Sequence, residues 1–187
     1  MRASPTLSRS RTGALCGEVF YNRKVSTLRD YRPEDFEALW QLDQCCFVTG
    51  ISYSRAELRY YIDRKSAFTV LAEEGDQLVG FLIADRDDRG FGHIITIDVD
   101  PKTQRKGIGT ALIKSAEERL RKAGCKSVLL ETAVDNLKAL SFYKNHGYSV
   151  LKSLPRYYMN SLDGLLMGKS IAQDAALPPQ RTSRSGD

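Results

Sequence analysis

From residue 25 to residue 171 the apolar positions switch between a two-residue and a roughly four-residue spacing, and the switches mark elements. VSTLRDY (25–31) reads as a strand. Pro33 then stands where a helix can begin, with Glu34 and Asp35 favouring its positive end, and Phe36, Leu39, Trp40 and Leu42–Asp43 continue at helical spacing. YSRAELRYYI predicts a second helix, with Ser54 as N-cap and Glu57 three residues on as the other half of a capping box. AFTVLAEE and LVGFLIAD, separated by GDQ, form a predicted hairpin. GHIITIDV is a further strand, stopped at Asp100–Pro101.

A longer helix follows, with Ile108, Leu112, Ala116 and Leu120 at successive i+4 steps for burial. Glu117–Arg121 and Glu118–Lys122 are expected as i,i+4 pairs on its wet side, and Gly124 as its C′ residue. SVLLE is a short buried strand, Asn136 to Asn145 a helix closed by His146–Gly147, and YSVLKSL and LLMGKSI two last strands around the loop PRYYMNSLDG. The order β–α–α–β–β–β–α–β–α–β–β defines a mixed α/β sandwich of sheet and helices.

Composition narrows the classes. With 187 residues, 42% hydrophobic and 27% charged, the chain has the size and balance of one soluble globular domain. No apolar run approaches the ~20 residues of a membrane span. The net charge of +5 is concentrated: residues 1–24 sum to +4, residues 25–171 to +1 and residues 172–187 to zero. The basicity belongs to a tail, which is weak ground for a nucleic-acid partner. Both tails, 1–24 and 172–187, are polar and aperiodic, so disorder is expected there. The start has no continuous apolar h-region, and its Arg- and Ser-rich composition lacks the helical amphipathicity of a transit peptide. Cys16, Cys45, Cys46 and Cys125 form no C-x-x-C pair, and His93 and His146 are far apart, so no metal site has spacing support. Reduced cysteines of this kind fit a cytoplasmic setting.

VDPKTQRKGIGTALI (99–113) carries the chemistry. Two glycines at the mouth of a helix cost stability and need a reason. The first helical turn exposes N–H groups without internal partners, and phosphate oxygens fit there when a missing Cβ allows close approach. Gln104 to Gly109 is therefore either an anion cradle, with Arg105 and Lys106 adding attraction, or a flexible turn with a solvated basic pair. The spacing matches neither a Walker loop nor a dinucleotide fingerprint, which needs a third glycine where Leu112 stands.

The same stretch resembles the Q/R-x-x-G-x-G/A signature of the GNAT N-acetyltransferases, with Gln104, Gly107 and Gly109 in the signature positions. LLETAVDNLKALSFYKNHGY (129–148) resembles that superfamily's second block, and RYYMNSLDGLLM (156–167) the tyrosine-bearing loop of its RimI-like branch, which acetylates ribosomal-protein N-termini. The resemblance spans residues 26–171. It implies a mixed, mostly antiparallel sheet of six to seven strands flanked by helices, and acetyl-CoA as acyl donor. It places the cofactor's pyrophosphate on the backbones of Gln104, Arg105, Lys106, Gly107, Ile108, Gly109 and Thr110, and its pantetheine arm along Ile97 and Val99. Asn136 is implied as a cofactor contact, and it is equally a helix N-cap.

For the chemistry, the resemblance implies Tyr143 as general acid near the sulfur. A phenol of pKa ~10 can protonate a leaving thiolate at neutral pH. Glu131 is implied as the base, directly or through water, and the Val99 N–H is the expected oxyanion donor. Tyr157 and Tyr158 are implied as substrate-binding residues, opposite a wall between CCF and YSRAEL. The residues alone allow plainer roles: Tyr143 a packed aromatic, Glu131 a solvated strand-end acid, Tyr157 and Tyr158 a surface pair. The Pro–Trp wall common in the RimI-like branch is absent from CCFVTGISYS. The expected activity is acetyl transfer by direct attack in a ternary complex, to a protein or peptide N-terminus. The alternatives are a small-amine acetyltransferase and a catalytically silent CoA-binding module.

Overall fold

The computed structural model describes residues 26–47, 52–158 and 162–172. The N-terminal extension 1–24, the tail beyond Ala172 and most of the wall between CCF and YSRAEL therefore lie outside the described residues. Seven strands and four helices fall in the predicted order: β1 (Thr27–Asp30), α1 (Phe36–Cys46), α2 (Arg55–Ile62), β2 (Phe68–Glu74), β3 (Gln77–Arg86), β4 (Phe91–Val99), α3 (Ile108–Lys122), β5 (Ser127–Ala133), α4 (Leu137–Asn145), β6 (Ser149–Tyr158) and β7 (Leu162–Ser170). The strands form one sheet in the order β1-β2-β3-β4-β5-β7-β6. Every neighbouring pair is antiparallel except β4 and β5, which are joined through α3. This is the mostly antiparallel seven-stranded sheet that the resemblance implies.

Each face of the sheet has its own core. On one, α1 and α2 bury Phe36, Leu39, Leu42 and Leu58 against Leu71, Phe81 and Ile83. On the other, Ile108, Leu112, Ala116 and Leu120 of α3 pack on Val70, Leu82 and Ile94, with Tyr143 of α4 and Tyr148 in the same cluster. The predicted i+4 stripe is the buried stripe. The capping box also forms: Ser54 Oγ accepts the Glu57 N–H at 3.2 Å, and Glu57 accepts the Ser54 N–H at 2.9 Å. Pro33–Asp35 make a 3-10 turn ahead of α1, and Asp35 accepts the Arg32 N–H at 2.7 Å. No helix among the described residues is long and apolar enough to cross a membrane.

Two expectations need correction. Glu117 is not on the wet side of α3 but buried, where it accepts from Tyr148 Oη at 3.1 Å and from Lys169 Nζ at 2.7 Å. Arg121 pairs with Glu118 instead, beside the expected Glu118–Lys122 contact at 3.4 Å. Helical spacing cannot foresee that β7 brings a lysine under the edge of α3. The second correction is PRYYMNSLDG, whose first four residues belong to β6. Their ladder slips between Leu154 and Tyr158, where Arg156 has a φ of 53°.

Leu112 is fully buried between α3 and the sheet. Leu112→Ala is expected to cost about 3 kcal/mol, read as a lower denaturant midpoint at unchanged slope.

Candidate active site

The site begins with one extra residue in β4. Ile83 of β3 pairs with Thr96 and Ala84 with Ile94, so Ile95 has no partner and forms a bulge. The bulge turns the strand, and the parallel ladder to β5 runs only from Phe91 to Ile94. Beyond it β4 and β5 part, opening a cleft of about 410 Å³ lined by Ile95, Ile97, Glu131, Asn136, Tyr143 and Tyr158 among others. The Asp100 N–H donates to the Val79 carbonyl at 3.0 Å. That bond makes Val99–Gly80 a non-hydrogen-bonded pair, as is Ile97–Leu82 two residues earlier. The backbone N–H and carbonyl groups of Ile97 and Val99 therefore point away from β3, toward the opening. The Val99 carbonyl is already engaged by Gln104 Nε2 at 3.2 Å and Cys46 Sγ at 3.5 Å.

At the outer end of the cleft, the chain from Val99 turns through Asp100–Gly107 into α3. Gly107 is the N-cap, with φ 91° and ψ 0°, and Arg105 two residues earlier has φ 65°. Among the described residues, none of the backbone N–H groups from Gln104 to Thr110 donates a hydrogen bond within the chain. The donors of the first turn are thus presented together at the positive end of a fifteen-residue helix. The loop fits a diphosphate. The two glycines serve it differently. At Gly107 a Cβ meets nothing within 4 Å, so what the position demands is its left-handed backbone. At Gly109 a Cβ comes within 3.3 Å of the Phe142 ring, so what it demands is close approach of α3 to α4. Lys106 Nζ reaches toward Glu74 at 3.4 Å. The Thr110 hydroxyl is 3.1 Å from His146 Nε2, while His146 Nδ1 donates to the Phe142 carbonyl at 2.8 Å; with that tautomer Thr110 is the donor to Nε2.

Deeper in the cleft, Tyr143 projects from α4 and is 7% exposed, with its ring edge-on to Tyr148. Burial, then the nearby Asp98 and Tyr158, hold its phenol well above the ordinary value, so it stays protonated. Glu131 stands on β5 where the strands part, and its Oε2 lies 2.6 Å from His93 Nε2. His93 is the residue that the sequence reading passed over. On β4 and 38 positions from Glu131, it gives no local signal, and only the parallel β4–β5 pairing brings the two together. Asn136 caps α4, its Oδ1 accepting the Ala139 N–H at 3.1 Å, and it also lines the cleft. Tyr158 lines the cleft too, and burial raises its phenol. Tyr157 is half exposed, with its ring over Gly164 of β7. On the opposite wall, burial pushes the Cys46 thiol up to about 12, which keeps it from being a nucleophile.

This geometry agrees with the comparisons to known proteins. The Acetyltransferase (GNAT) family matches residues 36–148. N-alpha-acetyltransferase 30 of Xenopus laevis is 38% identical over 117 residues, which cover 60% of this chain and 43% of that protein. The chain thus spans less than half of that relative's length. The N-alpha-acetyltransferase of Sulfurisphaera tokodaii is 32% identical over 161 residues, covering 79% of this chain and 95% of that one. Among solved structures, the ribosomal-protein-S18-alanine N-acetyltransferase of Escherichia coli superposes with a TM-score of 0.72 at 20% identity, over 82% of this chain and 99% of that chain. The family match over residues 36–148, with the parted β4–β5 pair and the free amides at the start of α3, shows that the chain belongs to the GNAT acetyltransferase family.

Gly107→Ala is expected to lose about 1 kcal/mol of stability through its backbone alone. Gly109→Ala is expected to shift Phe142, seen as altered ring resonances in the NMR spectrum.

Proposed function

We propose that the protein transfers the acetyl group of acetyl-CoA to the α-amine of a protein or peptide N-terminus, by direct attack in a ternary complex. The observation that carries this is the stretch Ile95–Val99. Its outward backbone groups face a cleft with an anion-ready helix start at one end and a carboxylate and a protonated phenol at the other. The names of the two N-alpha-acetyltransferase relatives support the acceptor class.

In this reading the free amides of Gln104–Thr110 hold the diphosphate, with Arg105 and Lys106 supplying charge. Ile97 and Val99 extend the sheet by one strand-like partner, the pantetheine arm. Bound acetyl-CoA supplies an activated acetyl thioester. The Val99 N–H, turned away from β3, is the donor assigned to the charge that the acetyl oxygen gains. Glu131, steadied by His93, takes the proton of the attacking amine directly or through water, and Tyr143 gives one to the departing sulfur. Asn136 sits beside the cofactor as it caps α4. Tyr158 borders the acceptor's path, and Tyr157 edges the same loop from outside. The loop resembles that of the RimI-like branch, and the acceptor wall departs from that branch at CCFVTGISYS.

Free CoA measured after mixing the protein with acetyl-CoA and N-terminal peptides tests the proposal. Turnover on peptides and little on polyamines or aminoglycosides is expected, and no CoA release across the panel overturns it. Tyr143→Phe is expected to lower kcat about 100-fold with the KM for acetyl-CoA unchanged, and Glu131→Gln to lower kcat/KM by a similar factor. A silent CoA-binding module predicts no effect of either.

A further inference from the structure

Of the four buried carboxylates in the described structure, two have a cation: Asp85 has Arg64 and Glu117 has Lys169. Asp43 and Asp98 do not. Asp43, on α1, is fully buried, and Asp98, on β4 across from Phe81, is 1% exposed. Asp43 Oδ2 accepts the Tyr53 N–H and Gln44 Nε2, both at 2.9 Å. Asp98 Oδ1 accepts the Thr96 hydroxyl at 2.7 Å. The oxygens left over, Asp43 Oδ1 and Asp98 Oδ2, are buried with no hydrogen-bond partner among the described residues. The two carboxyls lie beside each other where α1 crosses β4: Tyr53 binds both Asp43 and the Ile95 carbonyl, and Cys46, one turn after Asp43, reaches the carbonyl of Val99, the residue after Asp98. Two carboxylates have no donor between them, so this contact requires a proton.

Among the described residues, the titratable groups facing the pair are all acids: Cys46 from α1, Glu57 from α2, Tyr53 from the segment before it, and Tyr143 from α4. None offsets a second negative charge. Burial lifts Asp98 far above the carboxylate range and Asp43 to about 6.

The pair lies among the contacts that hold one wall of the cleft to β4. Below it, the Tyr53 hydroxyl donates to the Ile95 carbonyl at 3.4 Å; above it, Cys46 reaches the Val99 carbonyl. Trp40 Nε1 and Gln44 Nε2 both donate to the Tyr53 carbonyl, at 3.2 and 2.9 Å. We propose that Asp43 and Asp98 share one proton at neutral pH and act as a proton-dependent latch, holding the wall formed by Cys46, Phe47 and Tyr53 against β4 and so positioning the acceptor. The word acceptor rests on the proposed function; the latch does not. Loss of the shared proton leaves two carboxylates face to face in a site of low dielectric, and the wall moves off the strand. The amides at the start of α3 are not attached to α1, so the effect falls on the acceptor and not on the acyl donor.

The sign follows from linkage. Both groups hold protons more tightly folded than unfolded, so their contribution is complete below the unfolded carboxylate value near ~4 and is lost as pH rises through the folded values. Loss of the first proton at about 6 leaves the shared one, and the latch opens only as pH rises through the higher folded value of Asp98. Asp98→Asn replaces the shared proton with a permanent amide donor. Trp40 is the chain's one tryptophan and reports on the wall. As pH rises from neutral into the alkaline range, wild-type Trp40 emission is expected to change reversibly and Tm to fall, with both flatter in Asp98→Asn. With acetyl-CoA and an N-terminal peptide, the wild-type peptide KM is expected to rise by up to about tenfold per pH unit, the slope of one proton, at constant acetyl-CoA KM. In wild-type protein carrying 13C-labelled aspartate, one of the two carboxyl resonances is expected in the protonated position at neutral pH. Both carboxyls ionised there, or an Asp98→Asn profile that follows the wild type, overturns the latch. Absent turnover with the fluorescence and NMR results as expected overturns the acetyltransferase reading and leaves the latch standing.

Discussion

A single unmatched residue, Ile95, sets the geometry on which the rest of the structure depends. Strands β3 and β4 are one residue out of step there, so β4 bends out of the plane it shares with β5. The cost is a short run of unpaired ladder positions in the middle of a sheet. Unpaired backbone groups in a protein interior are tolerated only where something else satisfies them. In this fold the opening faces a cleft, and the groups left over are the ones the proposed chemistry uses. The bulge also changes faces. Ile94 packs toward α3, while Thr96 and Asp98 point toward α1, opposite Ile83 and Phe81.

Charge in this molecule is handled by burial as much as by pairing. The buried Glu117 and the partly buried Lys169 tie α3 to β7 together with Tyr148, a contact that fixes the helix whose first turn carries the free amides. Among the described residues Asp43 and Asp98 have no cation, and in the proposed latch they keep a proton instead, at the boundary between the α1 core and the cleft. Tyr143 reaches the cleft from the opposite core, and the same burial that packs its ring keeps its hydroxyl protonated. Packing and protonation state are not separate matters at these positions. One low-dielectric environment produces both.

The helix start shows how two glycines in one short motif can answer to different constraints. Gly107 is required by backbone conformation, and Gly109 by the Phe142 ring. The His146 that closes α4 returns to bond Thr110, so the helices beside the cradle are fastened to each other. The cradle is thus built on two rigid elements and not on the loop alone.

Local signals were sufficient for most of the fold. The apolar stripe of α3, the Ser54–Glu57 box, the hairpin around GDQ and the strand–helix order all depend on residues within a few positions of one another, where spacing alone decides which face is buried. The candidate site was legible where a motif is contiguous, as at Gln104–Thr110, and where a family resemblance supplied the rest, as at Tyr143 and Glu131. The partnership of His93 with Glu131, the turn of Asp98 toward Asp43 and the burial of Glu117 were not. Each depends on strand register or on an element far along the chain, and a one-residue slip at Ile95 inverts the face of every residue after it in β4. The sequence determined which segments are strands and helices; tertiary structure decided which side chains meet, because register and bulge are settled by packing between strands and not by the order of residues within one.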